Sequence, residues 1–163
     1  MGGGNVGNRV SYAVKREGGK EAYSQDVGNS LNSYSEGGKP RVFLSFHIED
    51  EFTVNLMRMQ ATDGRLEFTD YSVKEPFDEK WKTQCTERLR RSSMLVVMIG
   101  AETHKREAVD WEIRKAIELG KPVMGVRIHR DKNHVVPPAL KEVGAKIIYW
   151  NLDDIQKEVD KLR

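Results

Sequence analysis

From residue 41 onward, short apolar runs alternate with segments whose apolar residues recur every three or four positions. The apolar runs predict β-strands, which fall at 41–46, 66–70, 94–99, 122–128 and 146–150. The recurring patterns predict amphipathic helices, which fall at 50–59, 78–91, 107–117 and 153–162. This alternation constrains the fold strongly, because parallel strands need long crossover connections and helices supply them.

The alternation predicts one parallel sheet that is covered by helices on both faces. Five strands of this spacing suit a flavodoxin-like three-layer α/β sandwich with the strand order 2-1-3-4-5. In the helix at 50–59 the apolar spacing predicts that Phe52, Leu56 and Met59 face inwards. The stretch that includes 129–138 shows no regular pattern and is predicted to be irregular.

Composition divides the chain near residue 40. Nine of the 14 glycines lie in residues 1–40, and this stretch has one Leu and no Ile, Phe or Trp. So few large apolar side chains cannot build an independent core. We therefore predict a Gly-rich extension at 1–40 and a folded domain at 41–163. The extension is either a flexible leader or an arm that orders against the domain or a neighbouring subunit.

The charges of the chain are mixed, with 27 Lys and Arg against 25 Asp and Glu. This balance does not predict direct nucleic-acid binding, which needs cations clustered on one face. The single cysteine, Cys85, excludes an internal disulfide framework and is typical of a reducing compartment. The sequence has neither an apolar run of membrane-spanning length nor a signal-peptide pattern, so we expect no membrane partner and a cytoplasmic protein.

The carboxyl edge of the predicted sheet, between the first and third strands, is where a ligand would bind. This edge comprises residues 45–50, 70–78 and 100–112. No glycine-rich turn follows the first strand, which excludes a Rossmann dinucleotide site. No aspartate ends the third strand, which opposes a response regulator. The four histidines lack metal-ligand spacing, so no metal is predicted.

Glu112 is the strongest candidate for chemistry at this edge. Its helix has an apolar stripe that includes Val109, Ile113 and Ala116. Helical geometry places Glu112 about 100° from Ile113, at the border of the stripe. A carboxylate there can point across the top of the sheet, although a solvated helix glutamate fits the pattern as well.

Several ordered segments resemble TIR domains over roughly residues 41–130. The first is Val42-Phe43-Leu44-Ser45-Phe46-His47, followed by Asp50. The second is Asp70-Tyr71-Ser72-Val73-Lys74-Glu75-Pro76, and the third is Arg90-Arg91-Ser92-Ser93 before a strand that ends at Ile99-Gly100. The last is Asp110-Trp111-Glu112-Ile113. The whole pattern is similar to the short TIR-like proteins of bacteria and archaea, including the TIR subunit of the Thoeris antiphage system.

The resemblance implies an enzyme that cleaves the N-glycosidic bond of NAD, with Glu112 as the catalytic residue. It implies that Ser45, Phe46, Asp50 and Ser72 bind the substrate, with an aromatic such as Phe46 against the nicotinamide. NAD is then the substrate and no separate cofactor is needed. The product is an ADP-ribose-derived signal, linear or cyclic, in antiphage immunity. The resemblance also implies a homo-oligomer or TIR–TIR assembly and an effector that is reached through the small-molecule signal.

One position departs from the family pattern. TIR enzymes usually carry Trp four residues before the glutamate, and this chain has Ala108 there. Trp111 is predicted to point away from the core stripe, as an exposed residue or an assembly contact. Two other functions therefore stay open: a non-catalytic TIR module that acts through homotypic assembly, and a related nucleotide N-glycosidase that uses Glu112.

Overall fold

A computed structural model describes residues 38–64, 69–70 and 80–162 of the chain. Residues 1–37 lie outside this range, so the predicted extension at 1–40 and its boundary stay predictions. Ser72 and most of the segment that follows the second strand also lie outside the described residues.

A parallel sheet forms the centre of the domain, with the order β2-β1-β3-β4-β5. Its strands are β1 (Arg41–Ser45), β2 (Thr69–Asp70), β3 (Met94–Ile99), β4 (Val123–Arg127) and β5 (Lys146–Tyr149). β1 and β3 are fully buried along their lengths, as expected for strands covered on both faces. β2 has only two residues, which pair with Arg41 and Val42 at the start of β1.

Helices cover both faces of this sheet. They are α1 (Glu51–Thr62), α2 (Trp81–Arg90), α3 (Glu107–Glu118), α4 (Pro138–Glu142) and α5 (Leu152–Asp160). Two short 3-10 turns, Ile48–Asp50 and Thr103–Lys105, follow β1 and β3. The predicted parallel α/β architecture is therefore confirmed. The short helix α4 was not expected, because the sequence around it shows no apolar periodicity.

Two apolar clusters lie on opposite faces of the sheet, since successive strand residues point to opposite sides. α1 and α5 cover the first cluster, to which β1 contributes Val42 and Leu44. α2, α3 and α4 cover the second cluster, to which β1 contributes Phe43. The parity of β1 thus directs Ser45, two residues after Phe43, towards α2 and α3.

α3 is followed by a glycine, Gly120, whose backbone conformation ends the helix. Gly120 has a φ of 67°, a conformation that glycine adopts without a Cβ penalty. The Gly120 amide donates to the Ile117 carbonyl, and the Lys121 amide donates to the Ala116 carbonyl, at 2.9 Å each. This pair of bonds is a Schellman motif, which commonly ends a helix at a glycine.

The predicted inward face of α1 is wrong. Phe52, Leu56 and Met59 are 77%, 41% and 59% exposed, whereas Val54 and Met57 are completely buried. Both sets recur at helical spacing, so periodicity alone supports either stripe. The contact of α1 with the sheet selects the stripe that contains Val54 and Met57 and leaves the other one in solvent.

None of the helices in the described ranges is long and apolar enough to cross a lipid bilayer.

Candidate functional site

Ser45 and Glu112 meet at the carboxyl edge of the sheet. Ser45 is the last residue of β1, and Glu112 lies in the middle of α3, which follows β3. The Ser45 hydroxyl donates a 2.5 Å hydrogen bond to Glu112 Oε2. Both residues are buried, and Glu112 is only 7% exposed. The sequence predicted Glu112 at the border of the apolar stripe, and the structure shows that its side chain is almost completely buried there.

Cys85 contacts the other oxygen of the same carboxylate. Cys85 lies on α2, and its thiol Sγ is 3.7 Å from Glu112 Oε1 as a donor. Burial, and then the proximity of Glu112, raise the pKa of the Cys85 thiol, so the thiol keeps its proton at neutral pH. Donors from β1 and α2 thus hold the carboxylate of α3.

The environment of Glu112 changes its acidity. Burial raises the pKa of Glu112 from its ordinary value of 4.5 to about 7, and the hydrogen bonds from Ser45 and Cys85 oppose this rise. The carboxylate therefore exchanges its proton near neutral pH. Buried carboxyl groups with such pKa values are typical of functional sites in clefts.

Asp50 lies at the same edge of the sheet in a different set of contacts. Its carboxylate occupies the space beside Gly100, where an added Cβ would come within 2.1 Å of Asp50 Oδ2. The Thr103 hydroxyl lies 3.4 Å from Asp50 Oδ2 and 3.2 Å from the Met98 carbonyl oxygen. Burial raises the pKa of Asp50, and His47 and Thr103 oppose the rise.

Three histidines, His47, His129 and His134, lie near enough to Asp50 to lower its pKa. His47 Nε2 lies 2.8 Å from Arg106 Nη2, and since arginine only donates, His47 accepts through Nε2. His129 Nδ1 lies 2.9 Å from His134 Nε2, so one ring of this pair donates and the other accepts. Within the part of the chain that the structure describes, no group of three or more His, Cys, Asp or Glu residues could hold a metal ion.

Phe46 is not brought together with Glu112. Its ring packs against the cluster under α1 and α5, on the opposite face of the sheet from Ser45. The Arg58 guanidinium lies 5.0 Å from the Phe46 ring centroid. Of the predicted site residues, Ser45 is hydrogen-bonded to Glu112, and Asp50 lies next to Thr103. Phe46 lies on the face of the sheet that α1 and α5 cover.

Trp111 is not the outward-facing residue that the sequence predicted. It is partly buried against the cluster under α2 and α3, and its ring meets Trp81 edge to face at a centroid distance of 4.9 Å. The prediction is wrong because α2 packs beside α3 and covers this flank. The sequence analysis did not include Trp81 and Cys85 among the site residues. Their spacing of four places both on the face of α2 that meets α3.

Comparisons with known proteins identify the family of this domain. A family model described as "Thoeris protein ThsB, TIR-like domain" matches residues 43–133, more than half of the chain. A Bacillus cereus (strain MSX-D12) protein named "Putative cyclic ADP-D-ribose synthase ThsB1" is 32% identical over 103 residues, which are 57% of this chain and 54% of that protein. The chain thus spans about half the length of this curated relative.

A solved structure, the TIR domain of the Toll-related receptor TRR-2 from Hydra magnipapillata, superposes with a TM-score of 0.49 and 13% sequence identity. The superposition covers 74% of this chain and 91% of that domain. The family match over residues 43–133 includes most of β1 and all of α1, β2, α2, β3, α3 and β4, and with them Ser45, Cys85 and Glu112. The chain therefore belongs to the TIR-like domain family of the Thoeris protein ThsB.

Proposed function

We propose that this protein cleaves the N-glycosidic bond between nicotinamide and ribose in NAD, with Glu112 as the catalytic residue. The observation that carries the proposal is the enclosed Glu112 carboxylate, which Ser45 and Cys85 hold at the ligand-binding edge of the sheet. The name of the Bacillus cereus relative, a cyclic ADP-D-ribose synthase, supports the same class of reaction.

The chemistry needs only one carboxylate. Nicotinamide in NAD is already a cationic leaving group, so it leaves as a neutral molecule without protonation. As the bond breaks, positive charge develops on the ribose in an oxocarbenium-like transition state. An ionised Glu112 stabilises that charge strongly, because a buried site screens the interaction less than water does.

Substrate binding also favours the ionised form of Glu112. The positive charge of the nicotinamide ribose lowers the pKa of a nearby carboxyl group. Glu112 therefore loses its proton more readily in the complex than in the free protein. Its raised pKa in the free protein avoids an uncompensated charge in the empty site.

The acceptor of the ADP-ribosyl group decides the product. Water gives ADP-ribose, and another atom of the same molecule gives a cyclic product, so exclusion of water from the site selects between them. We propose that the product is a small-molecule signal in antiphage defence and that the protein acts as a homo-oligomer or TIR–TIR assembly. Substrate contacts for Ser45, Phe46, Asp50 and Ser72, and a cytoplasmic location, remain part of this proposal.

The experiment incubates the purified protein with NAD, with and without lysate of phage-infected cells, and resolves the products by chromatography. We expect nicotinamide release by the wild type, and we expect the rate of release to fall at least about a hundredfold in Glu112→Gln.

Glu118→Gln is the matched control, because Glu118 lies on the same helix with its side chain 65% exposed. Equal turnover by the wild type and Glu112→Gln would remove the role of Glu112. Release of bases from other nucleotides, but not from NAD, would favour a nucleotide N-glycosidase.

A further inference from the structure

A groove of about 690 Å³ lies between the start of α2 and the start of α3. The residues that define it are Trp81, Lys82, Lys105, Arg106, Ala108 and Trp111. Its volume is in the range of pockets that bind drug-sized ligands, about 300 to 1,000 Å³.

Two indole rings and a lysine form one wall of this groove. Trp81 and Trp111 meet edge to face. The Lys82 ammonium lies 5.8 Å from the ring centroid of each tryptophan. An aromatic surface with a cation beside it suits a planar base that carries a nearby anion.

The charges of the lining favour an anion. Arg114 pairs with Asp110 at 2.8 Å and with Glu142 at 2.9 Å, so it has no charge left to attract an anion. Lys82, Lys105 and Arg106 then face a single further lining carboxylate, that of Glu107.

The individual contacts of the cations strengthen this preference. Arg106 bonds to His47 Nε2, which also lies 3.4 Å from a carboxylate oxygen of Glu49, a residue outside the lining. Lys105 pairs at 2.9 Å with Glu102 and is partly compensated, so Lys82 and Arg106 contribute most of the attraction. Lys82 has no carboxylate partner among the described residues. His104, also in the lining, has a buried Nδ1 without a hydrogen-bond partner in the described ranges.

Ala108 connects the groove to Glu112. It lines the groove and precedes Glu112 by four residues in α3. Residues four apart share a helix face and are separated by a rise of about 6 Å. The small side chain of Ala108 keeps the groove open at this point. A ligand that touches Ala108 therefore lies about one helical turn from Glu112, a shorter distance than the length of a dinucleotide.

We propose that this groove binds the adenosine diphosphate half of the dinucleotide whose glycosidic bond Glu112 cleaves, a proposal that rests on the function proposed above. The charge of the lining decides which half it takes. The diphosphate is anionic and is attracted by Lys82, Lys105 and Arg106, whereas the cationic nicotinamide is repelled. The adenine packs against the indole surface of Trp81 and Trp111, as bases do on aromatic side chains.

The test titrates ADP and nicotinamide mononucleotide into full-length Glu112→Gln protein by isothermal calorimetry, which needs no turnover. We expect ADP to bind more tightly than nicotinamide mononucleotide. Lys82→Met is expected to weaken ADP binding by about tenfold, because it removes one charge-assisted contact, and Lys82→Arg to retain it. Lys157→Met is the control, since Lys157 is an exposed lysine on α5. ADP binding that Lys82→Met leaves unchanged would overturn the proposal.

Kinetics separate the substrate site from a regulatory one and from failure of the proposed function. With wild-type protein, ADP is expected to raise KM for NAD without changing kcat, and Lys82→Met is expected to raise KM by about tenfold. Inhibition by ADP that lowers kcat alone would assign the groove to a separate nucleotide and overturn its role in substrate binding. If the wild type releases no nicotinamide, the proposed function fails, and the calorimetry alone decides whether the groove binds ADP.

Discussion

Ser45 Oγ donates a 2.5 Å hydrogen bond to Glu112 Oε2, between two residues that are 67 positions apart in the sequence. The bond joins the end of β1 to the middle of α3, and both partners are buried. Together with the Cys85 thiol on α2, it fixes the orientation of a carboxylate that solvent barely reaches. Such a carboxylate has three measurable properties: its proton affinity, its cost to stability and its contribution to catalysis.

The first prediction concerns the pH dependence of activity. Because the pKa of Glu112 in the free protein is raised to about 7, half of the molecules carry a protonated, inactive Glu112 near that pH. We expect kcat/KM for NAD cleavage to rise with pH and to level off about one unit above the inflection. Initial rates of nicotinamide release between pH 5 and pH 9 test this. A flat profile across the range would contradict the assignment of Glu112.

The second prediction concerns stability over the same pH range. Folding raises the pKa of Glu112 from 4.5 to about 7, so the folded protein binds the proton more tightly than the unfolded chain. The contribution of this group to stability is therefore fully present below pH 4.5 and is lost as the pH rises to about 7. The full loss is about 3 kcal/mol, at 1.36 kcal/mol for each pKa unit.

Urea unfolding at pH 5 and pH 8 measures this loss, and Glu112→Gln supplies the reference. The neutral amide has no proton to lose, so the difference in free energy of unfolding between wild type and Glu112→Gln should change with pH. Relative to the wild type, we expect Glu112→Gln to be more stable at pH 8 than at pH 5. A difference that is the same at both pH values would show that Glu112 ionises in the folded state as it does in the unfolded chain.

The third prediction compares the two donors to Glu112. Ser45→Ala removes a hydrogen bond that favours the ionised form, so the pKa of Glu112 should rise further. A hydrogen bond to a charged group contributes about 1.5 to 3 kcal/mol, which corresponds to one or two pKa units. Cys85→Ala should have a smaller effect, because the thiol contact is longer, at 3.7 Å. The inflection of the pH–rate profile measures both shifts, and a larger shift for Cys85→Ala would contradict the prediction.

The sequence was sufficient to predict the alternation of strands and longer helices, including the helix that carries Glu112, because both depend on local periodicity. The short helix α4 has no such periodicity and was missed. Successive side chains of a strand point to opposite faces of the sheet, so the sequence also implied that Ser45 and Phe46 face opposite sides. The prediction that both residues bind the substrate did not take this alternation of side chains into account. In the structure, Ser45 faces Glu112 and Phe46 packs under α1.

Contacts between helices could not be predicted from the sequence, because they depend on how α2 packs beside α3. That packing brings Cys85 to Glu112 and covers Trp111 with Trp81. A helical wheel of α3 alone leaves Trp111 outside the core and Glu112 at its border. The burial that raises the pKa of Glu112 therefore comes from residues that are distant in the sequence.

The last prediction tests which stripe of α1 faces the core. Met57 is completely buried, so Met57→Ala should reduce the free energy of unfolding by about 2 to 5 kcal/mol through lost contacts and a cavity. Phe52 is 77% exposed, so Phe52→Ser should change it by less than about 0.5 kcal/mol. Urea denaturation of the two variants under the same conditions provides the comparison, with each serving as the control for the other. A cost above 2 kcal/mol for Phe52→Ser would show that the exposed stripe of Phe52, Leu56 and Met59 is covered in the folded protein in solution.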